Sequence, residues 1–217
     1  MVQKRLYISK RTRPDILTAV SFLTTRVREP TEEDEKKLIK VLKYLHGTLD
    51  LTLTLTGSED MIVTAYIDAS YAVHNDCKGQ TGVAISVGKG TVYAKSSKQK
   101  LVAKSSTEAE LIGVSDGLSQ ALWTRNFLQA QGIKVKPVNL KQDNKSTICM
   151  VEKGKSTSPR TRHVAIRYFF VKDRMEKGEV EIAYLPTELM VADFFTKPLQ
   201  GELFRRLRAE VLNLSDG

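Results

Sequence analysis

The chain has 217 residues, of which 41% are hydrophobic and six are proline, so it can build one globular domain with an appendage and is too apolar to be disordered. Its net charge of +9 favours a polyanionic partner, nucleic acid or an acidic membrane surface, although excess lysine can also serve solubility alone. No apolar run is long enough to cross a membrane, and the opening MVQKRLYISK is too charged for a signal peptide, which leaves nucleic acid as the better-supported polyanion.

The first 55 residues read as helical. RPDILTAVSFLTTRV sets Ile16, Val20 and Leu23 on one stripe, and EPTEEDEKKLIKVLKYLHGT sets Leu38, Leu42 and Leu45 on another before Gly47 ends it. TGSED, at 56–60, is a polar, turn-rich junction. Beyond it MIVTAYIDAS reads as a strand, and TGVAISVGKGTVYAKSS alternates around Gly88-Lys89-Gly90 as a hairpin. A long helix is predicted from about Ser106 to Gln131. PVNLKQDN is a short strand, followed by a helix through Met150 and the loop KGKSTSPRT. A helix over about Arg162–Glu176, the strand EVEIAYLP and a last helix TELMVADFFTKPL, closed by Pro198, complete the order. That order, β-β-β-α-β-α-α-β-α, predicts an α/β fold whose sheet mixes antiparallel and parallel pairs. The expected core includes Leu118, Leu122, Trp123, Phe127 and Tyr168–Phe170; Cys77 and Cys149 stand at no ligand spacing and read as reduced thiols of an intracellular protein.

Asp68 and Asp143 fall at predicted strand ends, where ligands of such sheets gather, and Asp193 sits among apolar neighbours in MVADFF. A buried lone acid is costly, so converging acids call for a cation, and a hard divalent metal suits oxygen ligands. KSSTEAELIGV adds two glutamates two residues apart, hence on opposite helix faces. Ser105 and Glu108 have capping-box spacing, with Glu108 expected to reach back to the Ser105 amide. Glu110 has no such partner and shares a face with Gly113, Val114, Gly117 and Ala121, small residues that let a helix approach a sheet closely. Glu110 is therefore the functional candidate.

YIDASYAVHNDCKGQTG, KSSKQKLVAKSSTEAELIGV, QDNKS, RTRHVAIRYFFVKD and IAYLPTELMVADFFTKPL, in that order, resemble the ribonuclease H domain at the C-terminal end of the Pol polyprotein of copia-type LTR retrotransposons. The upstream TRPDILTAV and VLKYLHGT resemble the segment that joins reverse transcriptase to that domain, so the likeness covers about residues 11–199. It implies a ribonuclease H-like fold, a five-stranded mixed sheet flanked by helices, over residues 61–199. A helical connection segment over 1–57 would precede it and a helical tail over 200–217 would follow. It implies cleavage of the RNA strand of RNA–DNA hybrids during reverse transcription with two Mg2+ ions, Mn2+ being a possible substitute, held by Asp68, Glu110, Asp143 and Asp193. The expected partners are the hybrid and the polymerase domain of the same polyprotein; the expected location is cytoplasmic, in virus-like particles, with nuclear presence possible. No YxDD motif, zinc knuckle or His/Cys pattern occurs, so the chain reads as a fragment without the polymerase site. LPTELMVAD lacks the histidine that aids product release in cellular ribonucleases H, and that role is not carried over.

Lys95, Lys98, Lys100 and Lys104 can line phosphates or merely protect an edge strand by charge. Arg160, Arg162 and His163 precede a helix and are read as substrate contacts. Asn144 can touch a 2′-hydroxyl or cap the following helix. A rival to the enzyme reading is a catalytically silent nucleic-acid-binding remnant of a truncated polyprotein.

Overall fold

The structure is a computed structural model that describes residues 2–57, 61–153 and 162–214. Three helices come first: α1 (Val2–Arg11), α2 (Leu17–Thr24) and α3 (Glu32–His46). The strands are β1 (Thr64–Ser70), β2 (Gln80–Ser86), β3 (Tyr93–Lys98), β4 (Val138–Gln142) and β5 (Val180–Tyr184). Between and after them lie α4 (Ser106–Ala130), α5 (Lys145–Lys153), α6 (Arg162–Glu176) and α7 (Gly201–Leu212).

The strands form one sheet in the order β3-β2-β1-β4-β5. The first three pair antiparallel, as their hairpin connections require, and β1-β4-β5 pair parallel through helical crossovers. This is the five-stranded mixed sheet of the ribonuclease H-like fold.

Each face of the sheet has its own core. Ile67, Val83 and Leu140 meet Leu111, Leu118 and Val114 of α4 and Val171 of α6 on one side. On the other, Ala84 meets Phe194, Phe195, Leu207 and Val211, together with Leu17 of α2. The small-residue stripe on α4 does what its composition suggests. A Cβ added at Gly117 would lie 2.8 Å from Ile67 Cδ1 and 2.9 Å from Val83 Cγ2, so any larger residue would push the helix or these side chains aside. The edge strand β3 is covered by α2, where the Ser21 hydroxyl donates to the Ser96 carbonyl at 2.6 Å.

Three expectations are corrected. The predicted last helix is instead two short 3-10 turns, Thr187–Leu189 and Val191–Phe195, with Met190 extended between them. Every residue from Met190 to Thr196 is buried, whereas a regular amphipathic helix buries only a stripe. Trp123 and Phe127 are not core: they stack on each other at 5.4 Å on the outer side of α4 and are 59% and 49% exposed. Phe169 is likewise exposed, while Tyr168 is buried. Among the described residues no helix is long and apolar enough to cross a membrane.

Candidate active site

Asp68 lies in β1 opposite Gly82 of β2, on the face covered by the second 3-10 turn. Tyr66 pairs with Lys141 in the parallel β1-β4 ladder, and continuing that register by two residues brings Asp143 level with Asp68. Asp193 arrives from the opposite direction, carried by the 3-10 turn. One carboxylate oxygen from each of the three aspartates lies within 4.8 Å of the others.

Glu110 joins them from α4. It is buried beside Asp68, and Gln142 donates to its Oε2 at 3.4 Å. Burial, then the negative charges of Asp68 and Asp143, pushes its carboxyl up to about 9. Burial and Asp68 likewise raise Asp193 to about 6. Glu108, by contrast, faces its own helix start: its Oε2 accepts from the Lys104 amide at 2.7 Å, while its own amide donates to Ser105 Oγ at 3.2 Å. The reach is to the Lys104 amide rather than to that of Ser105 as expected, so the reciprocal half of the capping box does not form at α4.

Several residues that sequence reasoning passed over complete the site. Lys197 places its ammonium 2.7 Å from Asp193 Oδ1 and 3.9 Å from Asp68 Oδ2. Burial pulls its pKa down, but Asp68, Asp193 and Asp143 together lift it above the ordinary lysine value. Thr196 donates its hydroxyl to Asp68, and Thr187 donates to Asp143 Oδ2 at 2.9 Å. The available signal was the ADFFTK motif, since Lys197 follows Asp193 at i,i+4 spacing, where an acid and a base meet on one turn.

One ammonium beside four carboxyl groups leaves the cluster short of positive charge. Its donors are all oxygen, its aspartates converge, and a magnesium-type cation fits that set. Asp68, Asp143 and Asp193 would hold such an ion, with Glu110 at their side.

The basic candidates are scattered. Lys95 pairs with Val83 and Lys98 with Gln80, so their side chains leave β3 on opposite faces. Lys98 is held by Asp76 at 2.8 Å, and that hydrogen bond brings Asp76 down to about 2. Lys100 and Lys104 are exposed in the loop before α4. Asn144 caps α5, its Oδ1 accepting from the Thr147 amide at 3.0 Å. Arg160 lies outside the described residues, as do the side chains of Arg162 and His163 at the start of α6.

No family model matches the chain. Curated relatives do. It is 32% identical over 202 residues to the retrovirus-related Pol polyprotein from transposon RE1 of Arabidopsis thaliana, covering 92% of this chain and 14% of that protein. It is 31% identical over 200 residues to the corresponding polyprotein from transposon TNT 1-94 of Nicotiana tabacum, covering 92% of this chain and 15% of that protein. The Ty1-DR5 Gag-Pol polyprotein of Saccharomyces cerevisiae is 24% identical over 205 residues, covering 93% of this chain and 12% of that protein. The chain thus spans about one-seventh of the length of the first two relatives. Among solved structures, LC11-RNase H1, isolated from compost, has a TM-score of 0.44 at 16% identity, covering 61% of this chain and 91% of that one. The same enzyme in complex with RNA/DNA hybrid has a TM-score of 0.43 at 20% identity, covering 61% and 92%. What the sheet has in its own right is the strand order β3-β2-β1-β4-β5, three antiparallel strands followed by two parallel ones. By its sequence the chain is a homologue of a segment of the retrovirus-related Pol polyproteins of copia-type transposons, folded around a ribonuclease H-like sheet.

Proposed function

We propose that this chain is a metal-dependent endoribonuclease that cleaves the RNA strand of RNA–DNA hybrids, within a larger reverse-transcribing polyprotein. The observation that carries the reading is the convergence of Asp68, Asp143 and Asp193 within 4.8 Å, with the buried Glu110 close enough to Asp68 to feel its charge. When bound, a pair of divalent ions would activate the attacking water and stabilise the leaving oxygen. The chain's own residues do the rest. Asp68, Glu110, Asp143 and Asp193 supply the ligands, so no side-chain nucleophile is needed. Thr196 and Thr187 fix the carboxylates of Asp68 and Asp143, limiting their freedom before any ion arrives. Lys197 reduces the repulsion between Asp68 and Asp193 and stands within reach of a phosphate brought to them.

Four acids in place favour the enzyme over the silent remnant. The expected location in virus-like particles and the polymerase partner belong to the same proposal, which the relatives' names support. A labelled RNA–DNA hybrid, incubated with the protein and Mg2+, is expected to lose its RNA strand, while double-stranded DNA and single-stranded RNA stay intact. The Asp143→Asn variant should bind the hybrid and leave it uncut. A wild-type protein that binds but never cuts, in Mg2+ or Mn2+, would support the remnant instead.

A further inference from the structure

A groove of about 850 Å3 lies between α2, α3 and the acidic end of the sheet. It is lined by the apolar Phe22, Val73, Leu199 and Phe204 and by three cations, Lys37 and Lys40 of α3 and Lys197 beside the acids. Asp15, the acid among its lining residues, is already neutralised. Arg13 donates to both of its oxygens at 2.9 and 2.8 Å, and the Tyr44 hydroxyl donates at 2.7 Å. The Lys37 ammonium sits 5.0 Å from the Phe22 ring centroid and 4.0 Å from Asp34 Oδ1, the outer limit of an ion pair, with its side chain about half exposed, so charge and aromatic surface occur side by side.

The groove and the acids share residues. Thr196 and Lys197 line the groove, yet they also bond Asp68 and Asp193. A strand lying across the acids therefore has a continuous path into the groove. Pockets of roughly 300–1,000 Å3 hold a drug-sized molecule, which corresponds to about two nucleotides and excludes a duplex. Lysines along a groove with aromatic and apolar walls form the combination that binds single-stranded nucleic acid, phosphates on the cations and bases on the rings.

We propose that this groove takes a short single-stranded continuation of the RNA strand beyond the paired region, with its phosphates at Lys37 and Lys40 and its bases against Phe22 and Phe204. RNA is specified because, on the proposed function, it is the strand that crosses the acids. The N-terminal helices would then form part of the substrate site.

The test compares blunt hybrid, hybrid with a single-stranded RNA extension at either end, and hybrid with a DNA extension, by fluorescence anisotropy in EDTA. One RNA extension is expected to bind about tenfold tighter than the blunt hybrid, the effect of roughly one stacked base. Lys37→Glu/Lys40→Glu should abolish that gain and leave magnesium-dependent cleavage of blunt hybrid unchanged. Phe22→Leu, which keeps the wall apolar, should lose part of it. Lys43→Glu, an equal charge change per site on an exposed α3 residue away from the groove lining, should keep it. No gain in the wild type, an equal gain from DNA, or an equal loss in Lys43→Glu would overturn the proposal. If no hybrid is cut but the RNA gain persists and depends on Lys37 and Lys40, the groove stands and the cleavage reading falls.

Discussion

Glu110 and Glu108 stand two positions apart and are both buried, yet their surroundings give them opposite tasks. Glu108 is consumed by the Lys104 amide, whereas Glu110 is pressed against Asp68. Glu110→Gln is therefore expected to abolish Mg2+-dependent cleavage without lowering the melting temperature of the metal-free protein, because a neutral amide replaces a carboxyl that the crowded cluster already holds protonated, and glutamine can never ionise to bind a cation. Glu108→Gln should retain activity, and Glu108→Ala should cost about 0.5–1 kcal/mol of stability while largely preserving activity. Cleavage rates and melting curves for the three variants decide the assignment. Inverted results would exchange the two roles. The pH dependence has a definite sign. Glu110 binds its proton in the folded protein up to about 9 but releases it near the ordinary carboxyl value when unfolded. Between those values the folded state holds more protons, so metal-free stability falls as pH rises. Asp193, raised to about 6, adds the same sign over its lower range. Thermal melts in EDTA across this window should show the decline, flattened in Glu110→Gln; a flat wild-type profile would count against it.

Position at the element scale comes from close approach. A Cβ on Gly82 would lie 2.6 Å from the Ala192 carbonyl oxygen and 2.7 Å from Thr196 Cγ2, in the turn that carries Asp193. Gly82→Ala is thus expected to destabilise the fold by about 1–3 kcal/mol and to move Asp193 away from Asp68. Denaturant titration reads the first effect, and loss of magnesium-induced thermal stabilisation reads the second. Unchanged metal response would show that the turn yields without disturbing the site. The segment's 3-10 form was not legible in TELMVADFFTKPL, whose spacing suits a helix, because what shapes it is burial on all sides between sheet and α7. Trp123 and Phe127 mislead for the converse reason. Their spacing continues an apolar pattern, but they share the outer face of α4, while Ala121, Leu122 and Leu128 on its inner face pack against the core.

At the scale of the whole molecule, the division at 57–61 remains a proposal, and residues 58–60 lie outside the described ones. Leu17 packs among Phe194, Phe195 and Leu207, and the Thr54 amide donates to the Leu212 carbonyl at 2.9 Å. A chain starting at Ser58 is expected to keep the sheet and its metal response but to melt at lower temperature, because it uncovers that apolar face. Absence of a cooperative melt would mean that the two parts share one core. The charge of +9 acts at the same scale. Hybrid affinity should fall with salt at a log–log slope of several units, about 0.7–0.9 per phosphate neutralised, and a slope near zero would contradict cationic docking. Charge reversal at Lys95, Lys98 and Lys100 should weaken binding, least through Lys98 because Asp76 already holds it.

The sequence by itself determined the order of the strands and of the helices as far as α6, since side-chain periods of 2 and 3.6 are local properties, and it separated Glu110 from Glu108 through capping chemistry and a stripe of small residues. It also marked Asp68, Asp143 and Asp193 as acids at strand ends or among apolar neighbours. Only the tertiary structure decided that these acids meet, because Asp68 and Asp193 lie 125 positions apart in the chain and are joined by β1 and a turn folded over its face. Lys197, Thr196 and Thr187 became visible there too. Their partners are chosen by packing, and a hydroxyl or ammonium bonds whatever the fold brings within about 3 Å.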